Sequence, residues 1–158
     1  MSKSRLHELS DLGQSVWIDS LSREMIESGE LERLLKEDAV VGVTTNPSIF
    51  QKALDSDSYD EEMRAVMDEE TDDKEVFFKL AVTDVQNACD ILRPVWDEGN
   101  GRDGWVSLEV DPNVASDTDA TKRDAKRLSE MVDRPNVFIK IPATEPGLQA
   151  IEDSIAAG

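Results

Sequence analysis

Lys140 stands in a short apolar run and is the first candidate for chemistry in this chain. The run, residues 136–142 (NVFIKIP), is typical of a strand buried on both faces of a parallel sheet. Burial disfavours the charged ammonium form of a lysine, and the neutral amine is a nucleophile that forms Schiff bases with carbonyl compounds. The alternative is a strand-end lysine whose stem is buried and whose amine reaches solvent and pairs with an acid.

Polar residues at the ends of four predicted strands form a second pattern. Side chains alternate between the two faces of a strand, so the sequence predicts which residues share a face. In each strand one face is aliphatic, and the other carries one polar residue at or near its carboxyl end: Asp19, Asn46, Glu109 or Lys140. We predict that these four share one face and one level of the sheet. Active-site residues lie in this way at the carboxyl-terminal rim of a β/α barrel.

The elements that must position these residues alternate along the chain. Strands are predicted at residues 14–18, 40–45, 105–110 and 137–141. Helices are predicted at residues 22–36 with a break near Gly29, and at 47–54, 59–70, 74–96, 119–132 and 145–157. This alternation predicts an α/β fold built on a parallel sheet. Cys89 belongs to an apolar stripe of the helix predicted at residues 74–96, so we expect a buried thiol.

The composition restricts the class of partner. Thirty-five acidic and seventeen basic residues among 158 give a net charge of −18, which argues against nucleic acid and anionic membranes. The sequence contains neither a run of 18 apolar residues nor a signal-peptide pattern, so no membrane span is predicted. With its single cysteine the chain is compatible with a reducing compartment, and we expect a cytoplasmic protein.

Two segments carry a resemblance to a known family. Residues 42–50 (GVTTNPSIF) resemble the first diagnostic motif of transaldolases. Residues 136–144 (NVFIKIPAT) resemble the second motif, in which Lys140 takes the place of the Schiff-base lysine. Residues 15–20 and 106–110 are similar to the strands that supply the family's acidic residues. The resemblance extends over essentially the whole chain.

The resemblance implies a (β/α)8 TIM barrel and a reaction without metal or cofactor. Transaldolases of the non-oxidative pentose phosphate pathway transfer a dihydroxyacetone unit from sedoheptulose 7-phosphate to glyceraldehyde 3-phosphate. By resemblance, Lys140 forms the Schiff base, Glu109 assists its dehydration, and Asp19 is the base for carbon–carbon cleavage. The residues implied to bind the sugar are Asn46, Thr44 and Thr45. The two threonines are equally compatible with a packing role.

The length departs from the family. A β/α barrel has eight strands and about 250 residues, whereas four strands are predicted here. We therefore expect residues 1–158 to be the amino-terminal part of one truncated barrel domain, without the family's phosphate-binding arginine and serine. Free sheet edges and an apolar face promote pairing with another chain. We expect a loose homodimer or a partly folded monomer without transaldolase activity of its own.

Two other interpretations stay open at this stage. One is an enzyme similar to fructose 6-phosphate aldolase, although the long helical insertion between residues 47 and 104 resembles the larger transaldolases. The other is a half barrel without catalytic function that survives as an assembly module. A fusion to a sugar-phosphate isomerase domain is also compatible with the sequence.

Overall fold

The computed structural model describes residues 4–158, in which helices alternate with the strands of one four-stranded sheet. The strands are β1 (Val16–Ile18), β2 (Val40–Val43), β3 (Trp105–Glu109) and β4 (Val137–Lys140). The helices are α1 (Arg5–Asp11), α2 (Arg23–Glu27), α3 (Glu30–Glu37), α4 (Pro47–Ala53), α5 (Asp60–Glu69), α6 (Asp73–Glu98), α7 (Thr118–Val132) and α8 (Glu145–Ala157). Short 3-10 turns span Asp57–Tyr59 and Pro112–Val114. The predicted single domain begins at residue 1, and residues 1–3 lie outside the described chain.

The sheet is parallel throughout, and its strands pair in chain order β1-β2-β3-β4. Val43 pairs with Ile18 on one side and with Val106 on the other, and Val106 pairs in turn with Val137. These four residues define one row across the sheet. The predicted α/β class with four parallel strands is confirmed.

Side chains at the helix starts explain where most helices begin. The side-chain oxygens of the residues that precede five helices accept hydrogen bonds from backbone N–H groups of the first turn: Ser22, Asn46, Asp72, Asp117 and Thr144. Such N-caps satisfy donors that have no partner within the helix, and each stabilises its helix by about 1 kcal/mol. Gly29, with φ of +76°, separates α2 from α3 and confirms the predicted break.

The aliphatic face of the sheet packs against the helices as its sequence pattern predicts. Val43 and Val106 of the sheet, Val85 and Leu92 of α6 and Leu128 of α7 are all fully buried in one cluster. Full burial of such a side chain stabilises the fold by roughly 1.5–3 kcal/mol relative to exposure. This cluster fixes the sheet against α6 and α7 and so sets where the strand ends lie.

The opposite face of the sheet is open among the described residues. Trp105 and Phe138 stack with ring centroids 3.9 Å apart, and Trp17 lies 6.4 Å from Phe138 in a parallel orientation. Phe138 is nevertheless 46% exposed, and the Lys140 side chain is 42% exposed. The prediction of a strand buried on both faces is therefore wrong for this structure, because the described elements cover only one face of β4.

Cys89 lies on the predicted buried stripe of α6. Its neighbours on that stripe, Val85 and Leu92, are fully buried, as is Cys89 itself. Burial raises the pKa of the Cys89 thiol to about 12. Because the thiolate is the reactive form, this cysteine is chemically inert and serves the core.

One helix was not predicted. Helix α1 begins after Ser4, whose amide donates to Nδ1 of His7 at 3.2 Å and whose hydroxyl lies 2.9 Å from the same nitrogen. The lone histidine therefore supports a helix start. Within residues 4–158, every helix is too short or too polar to cross a membrane.

Candidate active site

Lys140 and Glu109 end adjacent strands and meet on the open face of the sheet. They are register partners on β4 and β3, and the Lys140 Nζ lies 3.0 Å from a carboxylate oxygen of Glu109. Their side chains are 42% and 21% exposed, respectively. Of the two environments predicted for Lys140, the structure has the second, a strand-end lysine paired with an acid. An amine in contact with a carboxylate and with solvent can exchange protons and meet a small molecule.

The backbone of Thr45 supplies a second partner for the same amine. Lys140 Nζ donates a hydrogen bond to the Thr45 carbonyl oxygen at 2.9 Å. The Thr45 side chain is fully buried, and its hydroxyl donates to the carbonyl oxygen of Ser107 at 2.6 Å. The Thr45 hydroxyl is therefore bonded inside the sheet, as the packing role allows, and sugar binding by this residue stays a prediction.

Ser107 contacts two of the predicted site residues and was not itself predicted. Its hydroxyl accepts a hydrogen bond from the Thr45 amide at 3.2 Å and donates to the Thr44 hydroxyl at 3.1 Å. Ser107 is 4% exposed and shares its sheet face with Glu109. That shared face is the signal that could have identified it.

Asn46 and Thr44 lie at the end of β2 and differ in how much of each side chain is free. The Asn46 side-chain oxygen caps α4 by accepting from the Ile49 amide at 3.1 Å. Its side-chain nitrogen has no partner among residues 4–158, so this group is available to a ligand. The half-buried Thr44 hydroxyl accepts a hydrogen bond from Ser107 and keeps its own hydrogen for a further partner.

Asp19 lies on the predicted face but at a lower level. The register places Ile18, Val43, Val106 and Val137 in one row across the sheet. Asn46, Glu109 and Lys140 each come three residues after the row member of their own strand. Asp19 comes only one residue after Ile18. At about 3.3 Å per residue, this difference of two residues places Asp19 roughly 6–7 Å lower along the strand direction. This register differs from the predicted common level, and the role of Asp19 in the site stays a prediction. Its exposed side chain has no partner within the described chain.

A cavity of about 520 Å³ lies beside these groups rather than at them. It is lined by Pro47, Phe77, Lys74 and Asp111 among others, and by none of the predicted site residues. Lys74 donates to Asp111 at 2.8 Å, so its charge is already paired. The open sheet face has no opposite wall in the described chain and therefore forms a surface rather than a cavity. Across residues 4–158, no three His, Cys, Asp or Glu side chains cluster as metal ligands would.

Comparison with known proteins relates this arrangement to one family. Residues 16–158 match the profile described as Transaldolase/Fructose-6-phosphate aldolase. A Streptomyces coelicolor protein named transaldolase 2 is 51% identical over 154 residues, which are 97% of this chain and 41% of that protein. A Nostoc punctiforme transaldolase 2 is 43% identical over 159 residues, covering 100% of this chain and 42% of the relative.

A third relative has the same extent. The Mycobacterium ulcerans transaldolase is 48% identical over 157 residues, or 99% of this chain and 42% of its own length. The chain thus spans about two fifths of the length of the curated relatives it matches.

Proposed function

Because the chain belongs to the transaldolase/fructose-6-phosphate aldolase family, we propose that it supplies the Schiff-base lysine and its acid–base partners to a transaldolase. Its four parallel strands are then the first four of the family's β/α barrel. The reaction transfers a dihydroxyacetone unit from sedoheptulose 7-phosphate to glyceraldehyde 3-phosphate in the non-oxidative pentose phosphate pathway. The observation that carries the proposal is the Lys140 amine, 3.0 Å from Glu109 on an open face.

The first chemical steps use Lys140 and Glu109. The Lys140 nitrogen attacks the ketose carbonyl carbon, forming a carbon–nitrogen bond and moving an electron pair onto the carbonyl oxygen. That oxygen takes up protons and leaves as water, and Glu109 is placed to shuttle the protons either directly or through one water. The product is an iminium on Lys140, which accepts electrons more readily than the original carbonyl.

Cleavage of the sugar uses Asp19. The carboxylate removes the proton from the hydroxyl on the second carbon beyond the imine carbon. The bond between that carbon and the carbon next to the imine breaks, and its electron pair moves toward the iminium. The aldose leaves, and the three-carbon unit stays on Lys140 until it adds to the acceptor aldehyde. The lower level of Asp19 on the sheet suits a base that acts away from the imine carbon.

The remaining candidates bind rather than react. The free side-chain nitrogen of Asn46 and the hydroxyl of Thr44 point to hydrogen bonds with hydroxyls of the three-carbon unit. The proposed partners are sugar phosphates in the cytoplasm, and the proposed domain is one barrel that includes residues 1–158. No metal or cofactor enters this proposal.

The proposal is tested in a chimaera in which residues 1–158 replace the matching segment of the Streptomyces coelicolor relative. Borohydride added with fructose 6-phosphate should leave a reduced three-carbon adduct on Lys140, detected by peptide mass spectrometry. The parent relative serves as the positive control. An adduct on another lysine, with Lys140 unmodified, would contradict the assignment.

The same chimaera separates transaldolase from aldolase. A transaldolase releases little free dihydroxyacetone and needs an aldose acceptor to turn over, whereas an aldolase releases dihydroxyacetone without one. Product analysis with and without erythrose 4-phosphate therefore distinguishes the two. Steady release of dihydroxyacetone without an acceptor would favour the aldolase reaction.

A further inference from the structure

We propose that Thr45 is a positioning residue for Lys140. Its backbone carbonyl contacts the amine, and its side chain does not. The inference rests on the proposed function, since it concerns the orientation of the reacting amine. It assigns to the buried Thr45 hydroxyl the task of holding that carbonyl in place by way of Ser107.

Two hydrogen bonds join the same pair of residues, and Thr45 is the donor in both. The Thr45 amide donates to the Ser107 hydroxyl at 3.2 Å, and the Thr45 hydroxyl donates to the Ser107 carbonyl at 2.6 Å. The strand β2 ends at Val43, and the Thr44 amide still donates to the Ile18 carbonyl at 2.8 Å. The Thr45 amide donates instead to the Ser107 side chain, so this amide has no backbone partner among the described residues of β3. Both residues are buried, at 0% and 4% exposure, which protects the two bonds from competition by water. Ser107 therefore holds the Thr45 amide and hydroxyl, and so restrains the residue whose carbonyl meets Lys140.

The consequence appears at the amine. Lys140 Nζ has two acceptors in the described chain, the Thr45 carbonyl at 2.9 Å and the Glu109 carboxylate at 3.0 Å. A neutral amine has two hydrogens, which match these two acceptors, and one lone pair. With both hydrogens held, the lone pair points to the remaining side of the nitrogen, where a carbonyl carbon must approach. Without the Thr45 carbonyl, only Glu109 orients the amine.

The test uses the 158-residue chain and formaldehyde with cyanoborohydride. The amine attacks formaldehyde, water leaves, and hydride reduces the imine to a methylated lysine, so no sugar-phosphate site is needed. Peptide mass spectrometry gives the methylation rate of Lys140 relative to Lys126, whose side chain is 77% exposed. Thr45→Val, which keeps the shape but lacks the hydroxyl, should lower this ratio by about two- to tenfold, the effect of one hydrogen bond. Thr45→Ser should restore it.

A matched control separates positioning from general loss of a buried hydroxyl. Thr121 is 1% exposed and donates to the carbonyls of Val114 and Asp117, away from the site. Thr121→Val should leave the Lys140 ratio unchanged. If Thr45→Val does not fold, as judged by circular dichroism, Ser107→Ala takes its place and should lower the ratio in a folded chain.

Three outcomes would overturn the proposal: an unchanged ratio in the folded Thr45→Val or Ser107→Ala chain, an equal decrease in Thr121→Val, or no rescue by Thr45→Ser. These results are independent of the sugar reaction. If Thr45→Val lowers the Lys140 methylation ratio but the chimaera does not trap fructose 6-phosphate, the proposed function is contradicted and the positioning role stands. Trapping without any effect at Thr45 would do the reverse.

Discussion

Two clusters of charged side chains differ in what their hydrogen bonds leave open. Asp84 of α6 is fully buried and accepts hydrogen bonds from Arg23 and Tyr59. Lys140 and Glu109 instead pair at the open sheet face, with side chains 42% and 21% exposed. Both clusters contain a cation beside a carboxylate, yet only the second has room for another molecule.

In the buried cluster both carboxylate oxygens of Asp84 have partners. Arg23 Nε and a terminal nitrogen lie 3.1 and 2.9 Å from one oxygen of Asp84, and the Tyr59 hydroxyl lies 2.5 Å from the other. Another terminal nitrogen of Arg23 lies 2.5 Å from Glu62. Burial, reinforced by the hydrogen bond to Asp84, raises the pKa of Tyr59 well above its usual range. The cluster therefore ties α2, α5 and α6 together.

The difference shows how to separate structural from reactive ion pairs. A buried pair must satisfy every polar atom, because an unpaired buried charge is costly. A reactive pair must leave the nucleophilic lone pair free for the substrate, and Lys140 does so because its two acceptors match the two hydrogens of the neutral amine. Substitutions in the first cluster should change stability, and those in the second should change chemistry.

The largest expected effect is the loss of covalent trapping in Lys140→Arg. The guanidinium stays protonated and cannot form an imine, although the positive charge beside Glu109 is kept. Borohydride and fructose 6-phosphate should leave no adduct in the chimaera that carries this change. Lys126→Arg, on the surface of α7, is the control and should trap normally. Trapping that survives in Lys140→Arg would exclude this residue as the nucleophile.

The two acids should affect different steps. Glu109→Gln should slow imine formation, and Asp19→Asn should slow carbon–carbon cleavage while imine formation stays largely intact. General acid–base contributions of this kind are worth about a hundred- to ten-thousand-fold in rate. Single-turnover experiments in the chimaera measure the two steps separately. Identical effects of both substitutions on the same step would refute the division of roles.

Asp84→Ala should destabilise the fold strongly and leave the Lys140 methylation ratio unchanged. Removing Asp84 leaves the Tyr59 hydroxyl without its acceptor and Arg23 with Glu62 as its remaining carboxylate partner. Breaking a buried pair in this way costs about 3–5 kcal/mol in the free energy of unfolding. Urea denaturation of the 158-residue chain measures this loss. The double change Arg23→Met with Asp84→Leu should recover part of it, because both charges are then absent. A loss below about 1 kcal/mol would mean that the cluster is not the anchor inferred here.

Asp90→Asn provides the exposed counterpart on the same helix and should have the smallest effect. Arg134 donates two hydrogen bonds to Asp90, at 2.6 and 3.0 Å, and holds the pKa of that carboxyl below its usual 3.8. Because the folded pKa is lowered, this stabilisation is present above pH 3.8 and is lost as the pH falls through the folded value. The Asp90 side chain is 56% exposed, so we expect a loss of at most about 1 kcal/mol at pH 7.

The pH dependence supplies the check for that prediction. Wild type and Asp90→Asn should differ in urea stability at pH 7 and converge as the pH is lowered below the usual value of 3.8. A constant difference at all pH values would show that the effect does not arise from the ionised carboxylate.

Much of the fold is readable from local patterns. Apolar spacing predicted seven of the helices to within a few residues, and the alternation along the strands predicted which side chains face the core. Helix α1 was missed because its residues form no buried face and its start depends on a contact between Ser4 and His7. For the site, the structure brings Lys140 and Glu109 together as register partners in contact, and the roles of the lysine and both acids stay predictions.

The side of a strand on which a residue lies is a local property, whereas its level in the sheet is not. Alternation along one strand follows from backbone geometry, so the common face of Asp19, Glu109 and Lys140 could be deduced from the sequence. Their relative heights depend on pairing between strands, which includes an irregularity where Val16 pairs with Val40 but Trp17 pairs with Gly42. Gly42 permits this contact, since a Cβ there would lie 2.4 Å from the Trp17 ring.

The contacts of Thr45 and Lys140 were likewise decided by tertiary structure. A carbonyl oxygen is common to every residue, so no sequence pattern marks the one that meets the Lys140 amine. The exposure of Lys140 also depends on which elements cover the sheet, and the apolar run around Lys140 does not predict those elements. Residue types therefore determine which groups are available for chemistry, and the packing of β2, β3 and β4 determines which of them touch, because pairing brings together atoms far apart in the chain.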